Sequence, residues 1–98
     1  MTMLLNGVEA DTVGTGVPTD GGDKSVSVWS SDFGGGTVTL QASPDGGTTW
    51  ITLTLLGSPA AFTANAIRHV DRLGQGMQMR AVLSGATNPD PVYCQIQS

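Results

Sequence analysis

Apolar and polar residues alternate with a period of two along most of this chain. In residues 24–32, Val26 and Val28 point one way while Ser25, Ser27 and Trp29 point the other. Residues 37–42 set Val38, Leu40 and Ala42 against Thr37, Thr39 and Gln41. Ile51, Leu53 and Leu55 share a face opposite Trp50, Thr52 and Thr54. Residues 77–84 place Met77, Met79, Ala81 and Leu83 together, and residues 92–97 do the same with Val92, Cys94 and Ile96. Side chains leave successive residues of a strand on opposite faces, so each stretch reads as a half-buried strand. Breakers separate them: Gly34-Gly35-Gly36, Gly57-Ser58-Pro59, residues 72–76 and Asn88-Pro89-Asp90-Pro91. Turn signals at roughly 8–12-residue intervals predict an all-β antiparallel β-sandwich, jelly-roll or Ig-like, of six to eight short strands.

Two stretches are less regular. Residues 60–66 and 67–71 read as one strand or as a strand bent at Asn65. A helix over 60–73 is disfavoured by Asn65, the β-branched residues and a weak helical period. Residues 1–23 form an irregular N-terminal arm or edge strand ahead of a sandwich domain at 24–98, with short strands expected near 3–8 and 15–19. Two readings of this arm stay open: it packs on a neighbouring subunit, or it is a frayed or self-docked terminus.

Composition narrows the function classes. Ninety-eight residues suit one domain, which buries roughly 65% of its unfolded surface. Only 12% of the residues are charged, about half the usual share, and Lys24 is the single lysine. A surface coated with hydroxyls instead of charge hints at a protein packed against others. The net charge is −4 and Arg68, Arg72 and Arg80 are spread out, which argues against nucleic acid as a partner. No apolar run approaches a membrane span, and residues 1–6 lack the pattern of a signal peptide, so folding in a cytoplasm is expected. Cys94 stands alone within an alternating segment and reads as a small buried hydrophobe.

The most specific motif is Ser43-Pro44-Asp45-Gly46-Gly47-Thr48-Thr49-Trp50. It resembles the Asp-box turn of sialidase-type β-propellers, although one copy in this chain cannot build a propeller of about four or more blades. Ser43, Asp45, Gly47, Thr49 and Trp50 are its structural residues. The Asp45 carboxylate is placed to accept backbone N–H groups that follow it, and glycine at 46 and 47 permits positive φ. Hence 37–42 and 49–55 form a hairpin. Other candidate chemistry is thin. Asp20-Gly21-Gly22-Asp23 offers too few oxygens in one segment for a calcium loop. His69, with Asp71 two residues on, has no nucleophile motif beside it, and one histidine with one cysteine cannot make a zinc site. The glycine runs precede no helix and are not phosphate cradles. No catalytic residue, cofactor or metal is expected. Trp29, Trp50 and Tyr93 sit on the outward faces of their strands and admit three readings: a sugar-stacking platform, a protein-binding patch, or inward packing with the faces inverted.

Residues 25–29, then 34–50, then Met79-Arg80-Ala81-Val82-Leu83-Ser84-Gly85, resemble small virion proteins of tailed bacteriophages, in particular capsid decoration (cement) proteins. The rhythm that carries the likeness is a strand, a Gly-rich turn, Thr37-Val38-Thr39-Leu40-Gln41-Ala42-Ser43-Pro44-Asp45-Gly46-Gly47-Thr48-Thr49-Trp50, and the late Arg80-Ala81-Val82 strand. The likeness covers about residues 25–85. It implies a non-enzymatic structural protein on the capsid exterior, a homotrimer clamping neighbouring copies of the major capsid protein. The candidate interface residues are Leu4, Leu5 and Val17 of the arm, Trp29 and Tyr93, and Asn88 and Pro89 of the late loop. The alternative is a carbohydrate-binding or adaptor module of a phage tail or fibre.

Overall fold

The computed structural model describes residues 2–18, 22–55, 58–73 and 77–97, and among them there is no helix. Twelve strands follow one another: β1 (Thr2–Val8), β2 (Thr12–Val13), β3 (Val17–Pro18), β4 (Gly22–Trp29), β5 (Thr37–Ser43), β6 (Ile51–Thr52), β7 (Thr54–Leu55), β8 (Ser58–Pro59), β9 (Ala61–Phe62), β10 (Ala66–Leu73), β11 (Gln78–Ser84) and β12 (Val92–Gln97). Only β1, β4, β5, β10, β11 and β12 are longer than two residues.

One sheet has the order β1-β12-β4-β10, the other β2-β11-β5-β6, with β3 also on β11 and β9 also on β5. β7 and β8 form a separate small ladder. The eight strands on the two main paths pair as nested hairpins: β5 with β6, β4 with β10, β2 with β11, β1 with β12, all antiparallel. One long hairpin wrapped over itself into two sheets is the jelly-roll connectivity. Of the two sandwiches expected, the chain builds this one. The Ser43–Trp50 turn is the tip of the innermost pair.

The core lies between the sheets, where the alternating rows meet. Val26, Val28, Val92, Cys94 and Ile96 face Val38, Leu40, Met79, Ala81 and Leu83, all buried. Phe33 and Phe62 add aromatic volume to the same cluster. Lys24 is in line with Val26 and Val28 and is buried too.

The N-terminal residues are part of this body. β1 is an edge strand of the first sheet, and β2 and β3 both pair with β11 of the second. Leu4 and Leu5 are adjacent yet both buried. A register shift between Met3 and Leu5 inserts a bulge, which lets two consecutive side chains turn inward. Residues 3–18 are thus docked on their own domain. Residues 19–21, including Asp20 of the weighed calcium loop, lie outside the described residues.

The return strand of the central hairpin departs from its simple alternation. β6 ends after Thr52, and Leu53 keeps only half of the next rung: its N–H still donates to Leu40 O on β5 (3.0 Å), but its carbonyl accepts from Ala60 N (2.8 Å), while Leu40 N donates to Ala60 O (2.9 Å). β9 then takes over the flank of β5, pairing Phe62 with Val38. Ile51, stranded on a two-residue edge, is 57% exposed, whereas Leu53 packs on the core. Residues 60–73 form strands β9 and β10 with a bend between them.

Candidate interaction surface

Two aromatic arrangements occupy the outer faces of the two sheets, and each is built by local sequence. The first starts at the turn after β5. Ser43 is fully buried; its hydroxyl donates to Asp45 Oδ1 (2.8 Å) and accepts from Gly47 N (2.8 Å). The same Oδ1 accepts from Thr48 N (3.2 Å) and Thr49 N (2.8 Å). Hydrogen bonds from the Thr49 backbone, the Thr49 hydroxyl and Ser43 hold the Asp45 carboxyl down at about 2. With Gly46 and Gly47 at φ of 79° and 103°, the chain reverses and delivers Trp50. The Trp50 Nε1–H donates to Gly47 O (3.1 Å), and the ring takes the Arg80 guanidinium at 4.3 Å from its centroid. Arg80 Nε donates to Gln41 Oε1 (2.8 Å), fixing the cation from the other side. The ring also covers Gly16, where a Cβ would stand 2.7 Å from Trp50 Cη2. Trp50 therefore seals the outer face of the β2-β11-β5-β6 sheet against itself.

The second arrangement lies on the outer face of the β1-β12-β4-β10 sheet. Trp29 pairs with Tyr93 across β4 and β12. Their rings stack with centroids 5.2 Å apart and planes 11° from parallel. Tyr93 in turn lies over Gly7, the residue at the second bulge of β1, where φ is 70° and a Cβ would sit 3.3 Å from the phenol oxygen. A Cβ there would press on the ring, which must give by a few tenths of an ångström, in a backbone conformation that side chains rarely adopt. On the far side of Trp29, β10 places Ile67 opposite Ser27, diagonal to the indole. Ile67 is 77% exposed and Trp29 is 37% exposed. Ser27, Val28, Trp29, Asn65, Ala66 and Ile67 line a shallow, mainly apolar groove. Asn65 closes one end, its Oδ1 accepting from Ser30 N (2.8 Å). The result is a strip, Tyr93–Trp29–Ile67, running across three hydrogen-bonded strands.

The interface residues expected from sequence divide sharply. Trp29 and Tyr93 come together on this strip. Trp50 does not join them, because it lies on the opposite sheet against Arg80; a platform of all three rings is not formed. Leu4 and Leu5 are core residues and present nothing to a partner, since the bulge turns both inward. Val17 is partly buried against the core from β3. Pro89 is buried, whereas Asn88 is exposed at a φ of 46°. Their loop is laced to its neighbours: Thr87 N donates to Gly34 O (2.9 Å), Asp90 N to Asp32 O (2.9 Å), and Ser30 Oγ to Asp90 O (3.2 Å). Asp11 holds its start, accepting from Gly85 N (3.2 Å) and Ala86 N (2.8 Å). Ile67, Asn65 and Arg80 also carry these arrangements, although the sequence marks none of them as an interface residue. The outward position of Ile67 was readable once β10 is assigned as a strand; Arg80 had no signal beyond alternation.

The reactive groups Cys94 and His69 are on opposite faces of this sheet, Cys94 facing the core and His69 the outside. Cys94 is buried, and desolvation pushes its thiol up to about 12. His69 is exposed on β10 opposite Ser25, and the Asp71 side chain lies outside the described residues. No three His, Cys, Asp or Glu side chains come together among the described residues, and no helix there is long and apolar enough to cross a membrane. The chain matches no protein-family model, and neither a curated protein nor a solved structure is significantly similar to it.

Proposed function

We propose that this chain is a structural, non-enzymatic module that docks on a protein lattice through the Tyr93–Trp29–Ile67 strip. On the strength of the resemblance over residues 25–85, the lattice is the exterior of a tailed-bacteriophage capsid and the partner is its major capsid protein. The observation that carries the reading is the strip itself: a stacked Trp–Tyr pair beside an isoleucine that is 77% exposed. Trp and Tyr are favoured interface anchors because they bury much area and lose few rotamers. A face already held by three hydrogen-bonded strands keeps its shape on docking, so little ordering entropy opposes binding. Many weakly bound copies suffice, since a module that binds only the assembled shell stabilises the shell by linkage.

The glycan-binding alternative is less favoured by this geometry. Sugar stacking needs open ring faces, but one face of Trp29 is taken by Tyr93, and Trp50 is on the other sheet. The test is co-sedimentation of the purified chain with assembled shells of the major capsid protein encoded in the same genome. Saturable binding to shells and not to unassembled subunits is expected. Binding to neither, with tryptophan fluorescence that responds to a glycan panel, transfers the chain to the alternative class.

A further inference from the structure

Exposed strand edges invite pairing with other chains, and folded proteins blunt them with short strands, bulges or proline. Among the described residues, three of the four edges here are blunted. Both flanks of the β2-β11-β5-β6 sheet end in strands of two residues, β2 and β3 on one side and β6 and β9 on the other. β3 also carries Pro18. β1 is seven residues long, but two register shifts break its ladder, one at Met3/Leu5 and one at Asn6/Val8. β10 is the exception. It spans eight residues, and its pairing with β4 is unbroken over five of them, from Ala66↔Val28 to Val70↔Lys24, before a register shift ahead of Leu73. Among the described residues no strand pairs along its other side. Ile67, Arg68 and His69 are consecutive and all exposed, so neither face of the strand is covered at this point.

We propose that this edge is covered by the same edge of a second copy, β10 against β10, antiparallel about a two-fold axis perpendicular to the sheet. A regular, unblunted edge selects for another extended strand, because only such a strand satisfies a row of backbone N–H and C=O groups. Among the described residues, residues 66–70 of β10 are the longest unbroken edge, so head-to-tail pairing with the bulged β1 is disfavoured. A two-fold contact needs only one patch, matched with itself. Pairing joins two four-stranded sheets into one continuous sheet. The axis keeps residues of like parity on one face, so the two Ile67 side chains lie on the same outer face. The Tyr93–Trp29–Ile67 strip of one copy then continues into that of the other. The pairing stands on the edge geometry alone; only this last consequence touches the docking reading. Two strips on one rigid body would engage a lattice bivalently.

The experiment uses the full chain, first alone and then with added capsid shells. Light scattering over a concentration series is combined with hydrogen exchange of backbone amides. The expected mass is twice the 10.0 kDa of one chain, with exchange across residues 66–70 slowing as concentration rises. Ile67→Lys, at a side chain already exposed to water, is expected to return the mass to one chain with an unchanged far-ultraviolet spectrum. Should that variant fail to fold, the concentration dependence of wild-type exchange decides alone. A one-chain mass at all concentrations with concentration-independent exchange overturns the proposal. So does a three-chain mass, the trimer implied by the phage resemblance, because isologous pairing closes at two. Protection of residues 66–70 appearing only on added capsid shells also overturns it and assigns the edge to the lattice protein, leaving the docking reading intact.

Discussion

The Arg80 guanidinium lies over the Trp50 ring, 4.3 Å from its centroid, while its Nε is tied to Gln41. The contact joins the tip of the innermost hairpin to the strand beside its base. A partly exposed cation–π contact is worth about 0.5–1 kcal/mol, and the Gln41 hydrogen bond about 1 kcal/mol. Arg80→Ala is therefore expected to destabilise the fold by ~1–2 kcal/mol in urea unfolding. A double-mutant cycle with Trp50→Ala should return a coupling energy of at least ~0.5 kcal/mol. Strict additivity of the two changes would remove the contact from the account of stability.

The turn itself is sensitive to acid. The Asp45 carboxyl is lowered from 3.8 to about 2 by its hydrogen bonds to Thr49 and Ser43. A folded-state value below the unfolded one means that the ionised form favours folding. That contribution is complete above pH 3.8 and fades as pH falls towards 2. Asp45→Asn is expected to be less stable than the wild type at neutral pH, and the gap should narrow between pH 4 and pH 2. Thermal unfolding at a series of pH values reads both. A gap that is constant with pH would show that charge at position 45 plays no part.

The N-terminal strand is predicted to be structural. Leu5 is 2% exposed, and truncating a buried leucine costs about 2–5 kcal/mol. Leu5→Ala should lower the urea midpoint strongly, whereas Val13→Ser, at a side chain 61% exposed, should stay within about 0.5 kcal/mol. Deleting residues 2–13 removes β1 and β2 together and should abolish cooperative unfolding. A folded, cooperative truncation would restore these residues to the status of a detachable arm.

Cys94 is expected to resist thiol reagents in the native state and to react at once in denaturant. Burial raises the thiol from 9.0 to about 12, so the neutral form favours folding. That contribution is complete below pH 9.0 and is lost as pH rises towards 12. Rapid native-state labelling at pH 8 would contradict the burial that the core requires.

Much of this fold is legible in the alternation of residues. Val26 with Val28, Val38 with Leu40 and Ala42, Met79 with Ala81 and Leu83, and Val92 with Cys94 and Ile96 all face inward as their spacing predicts. The Ser43–Trp50 turn is equally legible, because its hydrogen bonds are local. Leu4 and Leu5 are different: two adjacent buried leucines violate a period of two, and only the bulge in β1 reconciles them. Ile51 keeps the alternation yet ends exposed, since spacing does not report where a sheet stops. Trp29 and Tyr93 lie on outward faces as expected, but their stacking depends on the β4–β12 register. The groove beside them depends further on where β10 lies, which no local pattern specifies.

The most direct test of the central claim is the affinity of the wild type and Trp29→Ala for assembled capsid shells, with unfolding of both variants followed in parallel. If the strip is the docking surface, removing its central ring costs 2 kcal/mol or more of binding, roughly a 30-fold loss or greater. The fold should be weakened by the ~0.5–1.5 kcal/mol of the lost stack together with the apolar area that the partly buried indole covers, which the parallel unfolding measures. Equal affinity of a folded Trp29→Ala variant would contradict the account and place the contact elsewhere on the molecule.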